Sequence, residues 1–335
     1  MLVPFAVPPG AAQTPVLSAP LNPRAQVVIA RDPEATRLFQ PAPARVSAMF
    51  NRALKNLTGT TQVSAAWLSL VSTQDVIGIK VVSWPGAVSG TRPALVAALV
   101  QGLLAAGIPP RHIIIWDKRE SDLRTAGFFD LAQRLGVRAA GGEESGYDPN
   151  TFYDSPLIGN LLWGDFEFGS RGDTIGRKSF ITKLLTQETT KTINVTPLLN
   201  NNLVGVSGNL YSLAMGAVDN SFRFESAPER LARAVPEIYA LPQLGDRVVL
   251  NVTDALLCQY EGSERSLLHY STVLNELRLS RDPVALDVLS LQELEKQRQA
   301  AHAAIFKPNL DLYSNATLLE LGVSDPEKIS VETLH

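Results

Sequence analysis

The sequence predicts a single α/β domain over residues 24–335, with a mostly parallel sheet, helices on both faces and an irregular insertion over about 141–190. Short Val- and Ile-rich segments, typical of buried parallel strands, alternate with segments of helical spacing. Residues 76–117 have the pattern strand, helix, strand, which requires parallel strands and a crossover. Hydrophobic residues make up 45% and charged residues 19% of 335, enough for a full core.

The elements of the first half follow from hydrophobic periodicity. The firmest helix has Thr91 as its predicted N-cap and Pro93 in its first turn, and Gly107 ends it. The other predicted elements are a strand at 26–30, a helix within 33–57, strands at 76–82 and 112–117, a helix near 121–135 and a short strand at 137–139.

The second half begins with a segment that lacks a regular pattern. Eight glycines between residues 141 and 176 predict loops or a short hairpin that covers the sheet edge. Asp282 followed by Pro283 is typical of a helix start, because the carboxylate accepts backbone N–H groups and proline costs no hydrogen bond there. The remaining predicted elements are strands at 191–196 and 247–254, helices at 228–239 and after Asp282, and a short helix at 315–321.

Composition excludes several function classes. The net charge of −3 and the pI near 5.9 give no electrostatic reason to expect a nucleic-acid partner. The single cysteine, Cys258, excludes an internal disulfide and a cysteine-ligated iron–sulfur cluster or zinc finger. The four histidines are dispersed along the chain, which argues against a histidine-built metal site. No run of eighteen apolar residues exists, so we expect no membrane-spanning helix.

The first residues, 1–23, do not resemble part of the domain. A short apolar run is followed by prolines and small residues near Ala11 and Ala12, as in the end of an export signal. On this interpretation Met1 is an internal methionine, the gene begins upstream and the protein is periplasmic or otherwise exported. The alternative is a cytoplasmic protein with a disordered arm.

Three aspartates and one lysine are the candidate catalytic and binding residues. Asp117 and Asp254 each end a predicted strand, where ligands of open α/β sheets sit, and Asp287 follows one turn into an apolar helix. Carboxylates there can bind a divalent metal or transfer protons, and Asp117 and Asp254 are the metal candidates. Each could equally cap the segment after it. Lys80 lies within an apolar strand, where it meets an anionic ligand or an aspartate unless it reaches solvent at an edge.

Over roughly residues 75–300 the chain resembles the family known as domain of unknown function 362. Several short segments carry the resemblance in order, and no single one is specific. They are Ile77-Gly78-Ile79-Lys80, Thr91-Arg92-Pro93-Ala94-Leu95-Val96, Ile113-Ile114-Ile115-Trp116-Asp117, Ile193-Asn194-Val195-Thr196-Pro197, Gly205-Val206-Ser207-Gly208, Val252-Thr253-Asp254-Ala255-Leu256 and Ser280-Arg281-Asp282-Pro283-Val284-Ala285-Leu286-Asp287.

The resemblance implies an α/β fold, a tendency to export and a ligand site that includes Arg281 and Asp282. It implies no particular reaction. The family's central segment usually carries a lysine and a histidine, but Asn200 and Asn202 stand in those places here. Amides can hydrogen-bond a ligand but cannot neutralise its charge. The ferredoxin-like cysteine clusters of many relatives are also absent from this sequence.

Two hypotheses about function follow. In the first, the protein is an enzyme that acts on a small anionic or metal-bound ligand beyond the strand ends. Lys80 would contact the ligand's charge, while Asp117, Asp254 and Asp287 would converge to hold a cation or move protons. In the second, the protein is a non-catalytic exported binding protein with a degenerate site, in which the asparagines provide neutral hydrogen bonds. Convergence of the three aspartates in one cleft separates the two.

Overall fold

A computed structural model describes residues 25–169, 175–263, 265–304 and 309–335. The predictions for residues 1–23 lie outside the described residues. The strands are β1 (Ala25–Arg31), β2 (Thr36–Arg37), β3 (Gln40–Pro41), β4 (Ile77–Lys80), β5 (Ile113–Asp117), β6 (Arg138–Gly141), β7 (Tyr147–Asn160), β8 (Ile175–Thr182), β9 (Lys191–Asn201), β10 (Gly205–Val206), β11 (Val248–Gln259), β12 (Ser271–Ser280) and β13 (Ile329–Leu334).

The helices alternate with these strands over most of the chain. They are α1 (Pro43–Thr58), α2 (Val63–Leu68), α3 (Gly86–Ser89), α4 (Pro93–Ala105), α5 (Glu120–Thr125), α6 (Phe128–Leu135), α7 (Gly142–Ser145), α8 (Asn209–Ala217), α9 (Pro228–Tyr239), α10 (Pro283–Ala300) and α11 (Asp311–Leu318).

A nine-stranded mixed sheet organises the fold. Its order is β13-β1-β12-β11-β9-β4-β5-β6, with β10 paired to β9. The part from β11 to β6 is parallel throughout, whereas β12 runs antiparallel to both of its neighbours. The predicted α/β fold with a mostly parallel sheet is therefore confirmed, including the strand–helix–strand unit at 76–117.

Helices cover both faces of the sheet, as the alternation of side chains along the strands requires. In β5, Ile113 and Ile115 belong to one buried cluster, while Ile114 and Trp116 belong to another. The first cluster takes its helical residues from α1, α2, α4, α5 and α6, and the second takes them from α8, α9, α10 and α11. These two clusters thus lie on opposite faces of the sheet, and a third, smaller cluster joins β1 to α10.

Several predicted details differ from the structure. Thr91 does not cap α4: Arg92 is the N-cap residue, and the Thr91 hydroxyl donates to the carbonyl of Val195 at 2.7 Å. The predicted helix near 121–135 is two helices, because Gly127 adopts a left-handed conformation (φ 84°) between α5 and α6. The insertion contains the predicted hairpin, but it is not short, since the antiparallel strands β7 and β8 have 14 and 8 residues. The strands β12 and β13 had no prediction.

Close packing between α4 and α2 predicts a large effect for a small substitution. A Cβ atom at Gly102 would lie 2.3 Å from Nε1 of the buried Trp67, so Gly102→Ala forces the indole or the helix to move. Overpacking of this kind costs about 1–3 kcal/mol. We expect urea unfolding to show that loss for Gly102→Ala, whereas Gln101→Ala, at the exposed neighbour, stays within about 0.5 kcal/mol of wild type. Equal midpoints for the two variants would contradict the packing argument.

Candidate functional site

A cleft lies at the carboxyl ends of β4 and β5. In the sheet, β5 and β6 lie on one side of β4, whereas the later strands β9 and β11 lie on its other side. The carboxyl end of β4 is therefore a topological switch point, the usual place for a ligand in an open α/β sheet. The cleft has a volume of about 310 Å³ and is lined by Lys80, Val82, Trp84, Asp117, Lys118, Arg119, Asp122, Ser207, Tyr211, Ser212, Met215, Gly216, Ser221, Phe222 and Glu225.

Lys80 and Asp117 form a buried ion pair in the wall of the cleft. Their strands are neighbours, and the Lys80 ammonium donates to Asp117 Oδ1 at 2.8 Å and to the carbonyl of Val81 at 2.7 Å. The lysine chain fits because residue 216 is glycine, where a Cβ atom would lie 2.5 Å from the Cε atom of Lys80. The Lys80 ammonium is therefore buried at the carboxyl end of the sheet, since only 2% of the residue is exposed. The predicted alternative, in which Lys80 reaches solvent at a sheet edge, is wrong.

Asp117 already uses both of its carboxylate oxygens. Oδ1 accepts from Lys80 and from the backbone N–H of Lys118, and Oδ2 accepts from the N–H and the hydroxyl of Ser83, all at 2.7–2.8 Å. Burial would raise the pKa of Asp117, but Lys80 and these hydrogen bonds hold that pKa below its ordinary value. Asp117 thus holds Lys80, Ser83 and the backbone of Lys118 in place at the wall of the cleft.

The two residues after Asp117 bring further cations to the cleft. Lys118 donates to the hydroxyl of Ser221 at 3.0 Å. Burial lowers the pKa of Lys118, and the nearby carboxylates only partly oppose that effect. Arg119 donates through its Nε atom to both carboxylate oxygens of Glu143, at 3.0 and 3.2 Å. Among the described residues, the terminal amino groups of Arg119 have no hydrogen-bond partner, so they can meet a ligand.

Asp122 is a half-buried carboxyl group in the lining of the cleft. Burial raises its pKa, and the negative charge of Asp117 raises it further. Asp122 thus adds a second carboxyl group to the lining, beside that of Asp117.

Asp254 does not line this cleft. It is fully buried and forms an ion pair with Arg92, whose Nη1 atom lies 2.7 Å from Asp254 Oδ1. The other oxygen accepts the backbone N–H of Arg92 at 3.0 Å, at the start of α4. Asp254 therefore lies within β11 and not at a strand end as predicted, and it holds the start of α4, a distant helix, and not the segment that follows its own strand.

Asp287 is also buried away from the cleft, where it caps helix α8. Its carboxylate accepts the backbone N–H groups of Asn209 and Leu210 at 2.6 and 2.9 Å, and the amide of Asn209 at 3.0 Å. A Cβ atom at Gly208 would lie 2.3 Å from this carboxylate, so a glycine is needed there. Burial raises the pKa of Asp287 to about 7, although the hydrogen bonds act in the opposite direction.

Arg281 and Asp282, the predicted ligand residues at the start of α10, make hydrogen bonds within the protein instead. Asp282 is the N-cap of α10, as predicted: its Oδ1 accepts the N–H of Ala285 at 2.8 Å. The carbonyl of Arg281 accepts from the side chain of Asn251 at 3.2 Å. Neither residue lines the cleft, so the expected contribution of Arg281 and Asp282 to one shared site has no geometric support.

Asn200 and Asn202 lie beside a second hollow and not in the cleft itself. The Asn200 amide donates to Asn202 Oδ1 at 3.0 Å, and its oxygen accepts from the backbone of Ser263 at 2.9 Å. Asn202 and Ser263 line this hollow, which has a volume of about 610 Å³. A third depression lies between them, since it shares Phe222 and Glu225 with the cleft and Ser263 with the hollow.

The expected convergence of Asp117, Asp254 and Asp287 in one cleft is wrong. Only Asp117 lines the cleft, while Asp254 and Asp287 are buried against other partners. The described residues contain no group of three His, Cys, Asp or Glu side chains placed to hold a metal. This removes the geometric basis for a metal at Asp117 and Asp254. Sequence reasoning offered an aspartate as one possible partner of Lys80, and the structure shows that this partner is Asp117, but the same reasoning missed Lys118, Arg119 and Ser221. The position of Lys118 and Arg119 directly after a strand end was the available signal.

Comparison with known proteins adds little to this description. No protein-family profile matches the chain, and no curated protein matches it. A crystal structure of a Thermotoga maritima protein from a structural genomics consortium aligns with 78% of this chain at 11% identity and a TM-score of 0.40. The present chain spans 60% of that protein's length. Within the described residues, no helix is both long and apolar enough to cross a bilayer.

Proposed function

We propose that the protein binds a small molecule with an anionic group, and that the cleft at the ends of β4 and β5 is its site. Lys80 is the observation that carries the proposal. Its ammonium is held rigidly in the wall of the cleft and donates two hydrogen bonds within the protein. Because an ammonium has three N–H groups, the third is left for a ligand.

The surroundings of Lys80 support the same ligand class. Arg119 adds a guanidinium group at the cleft, and the hydroxyl groups of Ser207 and Tyr211 add polar atoms to the lining. Trp84 and Phe222 provide apolar contact area. A cleft of about 310 Å³ suits a small molecule. A ligand with one anionic end and one apolar side would match this arrangement of charge and apolar surface.

The geometry favours anion binding over the metal-assisted chemistry of the first hypothesis. Asp117 has no free position for a cation, and Asp254 and Asp287 support other elements. Membership of the domain of unknown function 362 family and export remain predictions. Binding in this cleft is compatible with either location.

Replacement of Arg119 tests the proposal. Inorganic phosphate, acetate and succinate are titrated into the protein and followed by calorimetry. A hydrogen bond to a charged group contributes about 1.5–3 kcal/mol, so we expect Arg119→Gln to weaken the tightest of the three by about tenfold or more. Arg124→Gln is the matched control, because both side chains are about half exposed and ion-paired but only Arg119 lines the cleft. Failure of all three anions to bind wild type, or equal affinity in both variants, would contradict the proposal.

A further inference from the structure

Ser221 and Lys118 face each other in the cleft, although they lie far apart in the chain. The Lys118 amine lies 3.0 Å from the Ser221 hydroxyl, and both line the cleft. Within the described residues, no carboxylate lies within salt-bridge distance of that amine, so its closest polar partner is a neutral hydroxyl. A lysine placed against a serine in this way is a known arrangement for nucleophilic catalysis.

The backbone before Ser221 is held in a conformation that few residues adopt. Asn220 has a φ of 34°, in the left-handed region, and it is buried. Its N–H donates to Asp165 Oδ1 at 2.7 Å, and its amide donates to the carbonyl of Lys178 at 3.0 Å. The hydroxyl of Ser179 donates to its carbonyl at 3.2 Å. Such strained backbone persists only where the surroundings hold it, and it concentrates at functional sites.

Hydrogen bonds from Arg223 also hold the segment after Ser221 in place. Arg223 is buried and donates to the carbonyls of Leu157 and Tyr153, at 2.8 and 3.2 Å, and to that of Arg177. A Cβ atom at Gly159 would lie 2.2 Å from the Cβ atom of Arg223, so this contact needs a glycine. The β7–β8 hairpin therefore acts as a frame that holds the loop carrying Ser221 against the cleft.

The environment of Lys118 favours its neutral form at lower pH than usual. Burial is the largest cause of its lowered pKa, and the positive charge of Arg119 acts in the same direction. The charges that oppose the shift come from other segments and belong to Glu225, Glu143, Asp165 and Asp219. A lysine ammonium can only donate to the Ser221 hydroxyl, whereas the neutral amine can accept the proton of that hydroxyl.

From this geometry we infer that Ser221 is a nucleophile and Lys118 its general base, for acyl transfer from an ester or amide that carries an anionic group. Ser221 Oγ would bond to the substrate's carbonyl carbon while its proton passes to Lys118 Nζ. The alcohol or amine would leave as its bond to that carbon breaks, taking the proton from Lys118. Water would then hydrolyse the acyl-serine by the same route, releasing the acid and restoring both side chains.

The inference rests on the proposed function, since the anionic group would sit at Lys80 and Arg119. It adds the reaction class and the two catalytic residues. Arg119 and Lys80 would bind charge, while Lys118 would move the proton. The half-exposed ring of Phe222, next to Ser221, would contact the acyl or leaving group.

Labelling with an alkyl fluorophosphonate tests the inference directly. Serine attack forms a P–O bond and expels fluoride, and mass spectrometry of peptides locates the adduct. We expect an adduct on Ser221 in wild type, with the labelling rate at least tenfold lower in Lys118→Arg, because arginine keeps the charge but cannot act as a base. Ser212→Ala, which also removes a hydroxyl from the cleft lining, should label like wild type. The rate in wild type should rise with pH and level off below the range of an ordinary lysine.

The outcomes separate this inference from the proposed function. An adduct at another residue, no adduct in folded wild type, or an unchanged rate in Lys118→Arg would overturn the catalytic pair. Titration of phosphate, acetate and succinate into Ser221→Ala reports on anion binding by itself, since that variant keeps Lys80 and Arg119. Thermal unfolding of each variant establishes that it is folded. A labelled Ser221 without anion binding would leave the pair standing and remove the proposed ligand class.

Discussion

Asp254→Ala is expected to lower the free energy of unfolding by about 3–5 kcal/mol, because it leaves the buried guanidinium of Arg92 without its counter-charge. The substitution also removes the acceptor for the backbone N–H of Arg92, the N-cap residue of α4. Urea unfolding followed by circular dichroism measures the loss. A protein that no longer folds at 25 °C is the extreme of the same result.

Two comparisons identify the cause of that loss. Asp154→Ala removes an exposed ion pair with Arg177, with N and O atoms 2.8 Å apart, and should cost no more than about 1 kcal/mol. The double variant Asp254→Ala/Arg92→Met replaces the buried charge by an apolar side chain and should recover part of the stability. If Asp254→Ala were as stable as Asp154→Ala, the structural role assigned to Asp254 would be wrong.

The free energy of unfolding is expected to fall by a few kcal/mol as the pH rises from about 4 to about 7, through two buried carboxyl groups. Burial raises the pKa of both Asp287 and Asp219 to about 7. One pKa unit corresponds to about 1.4 kcal/mol, and the ordinary value for both groups is 3.8. Urea unfolding at intervals of half a pH unit measures the dependence.

The sign follows from proton uptake. Between pH 4 and 7 the unfolded chain has lost these two protons while the folded protein still holds them, so the folded state binds more protons and stability decreases with rising pH. Above about pH 7 the contribution is constant. Asp287→Asn and Asp219→Asn should each make the dependence shallower, even where the substitution lowers stability overall. An unchanged slope in both variants would contradict the assignment.

Much of the central sheet could be predicted from local pattern. The strands at Ile77–Lys80 and Ile113–Asp117 and the helix at Pro228–Tyr239 are continuous segments with a clear period, and their bounds match within a few residues. Lys80 was recognisable because a cation in an apolar strand needs a partner. Edge strands were harder, since β13 is exposed along most of its length and lacks an apolar pattern.

The sequence by itself determined the α/β class, the parallel unit that carries Lys80 and Asp117, and the Asp282 cap of α10. Each depends on neighbours along the chain or on adjacent strands. Only the tertiary structure decided that Asp254 pairs with Arg92, 162 residues away, that Asp287 caps α8, and that Ser221 meets Lys118. A carboxylate at a strand end has the same local signal whether it binds a ligand or caps a helix, because its partner comes from a distant segment that periodicity does not specify.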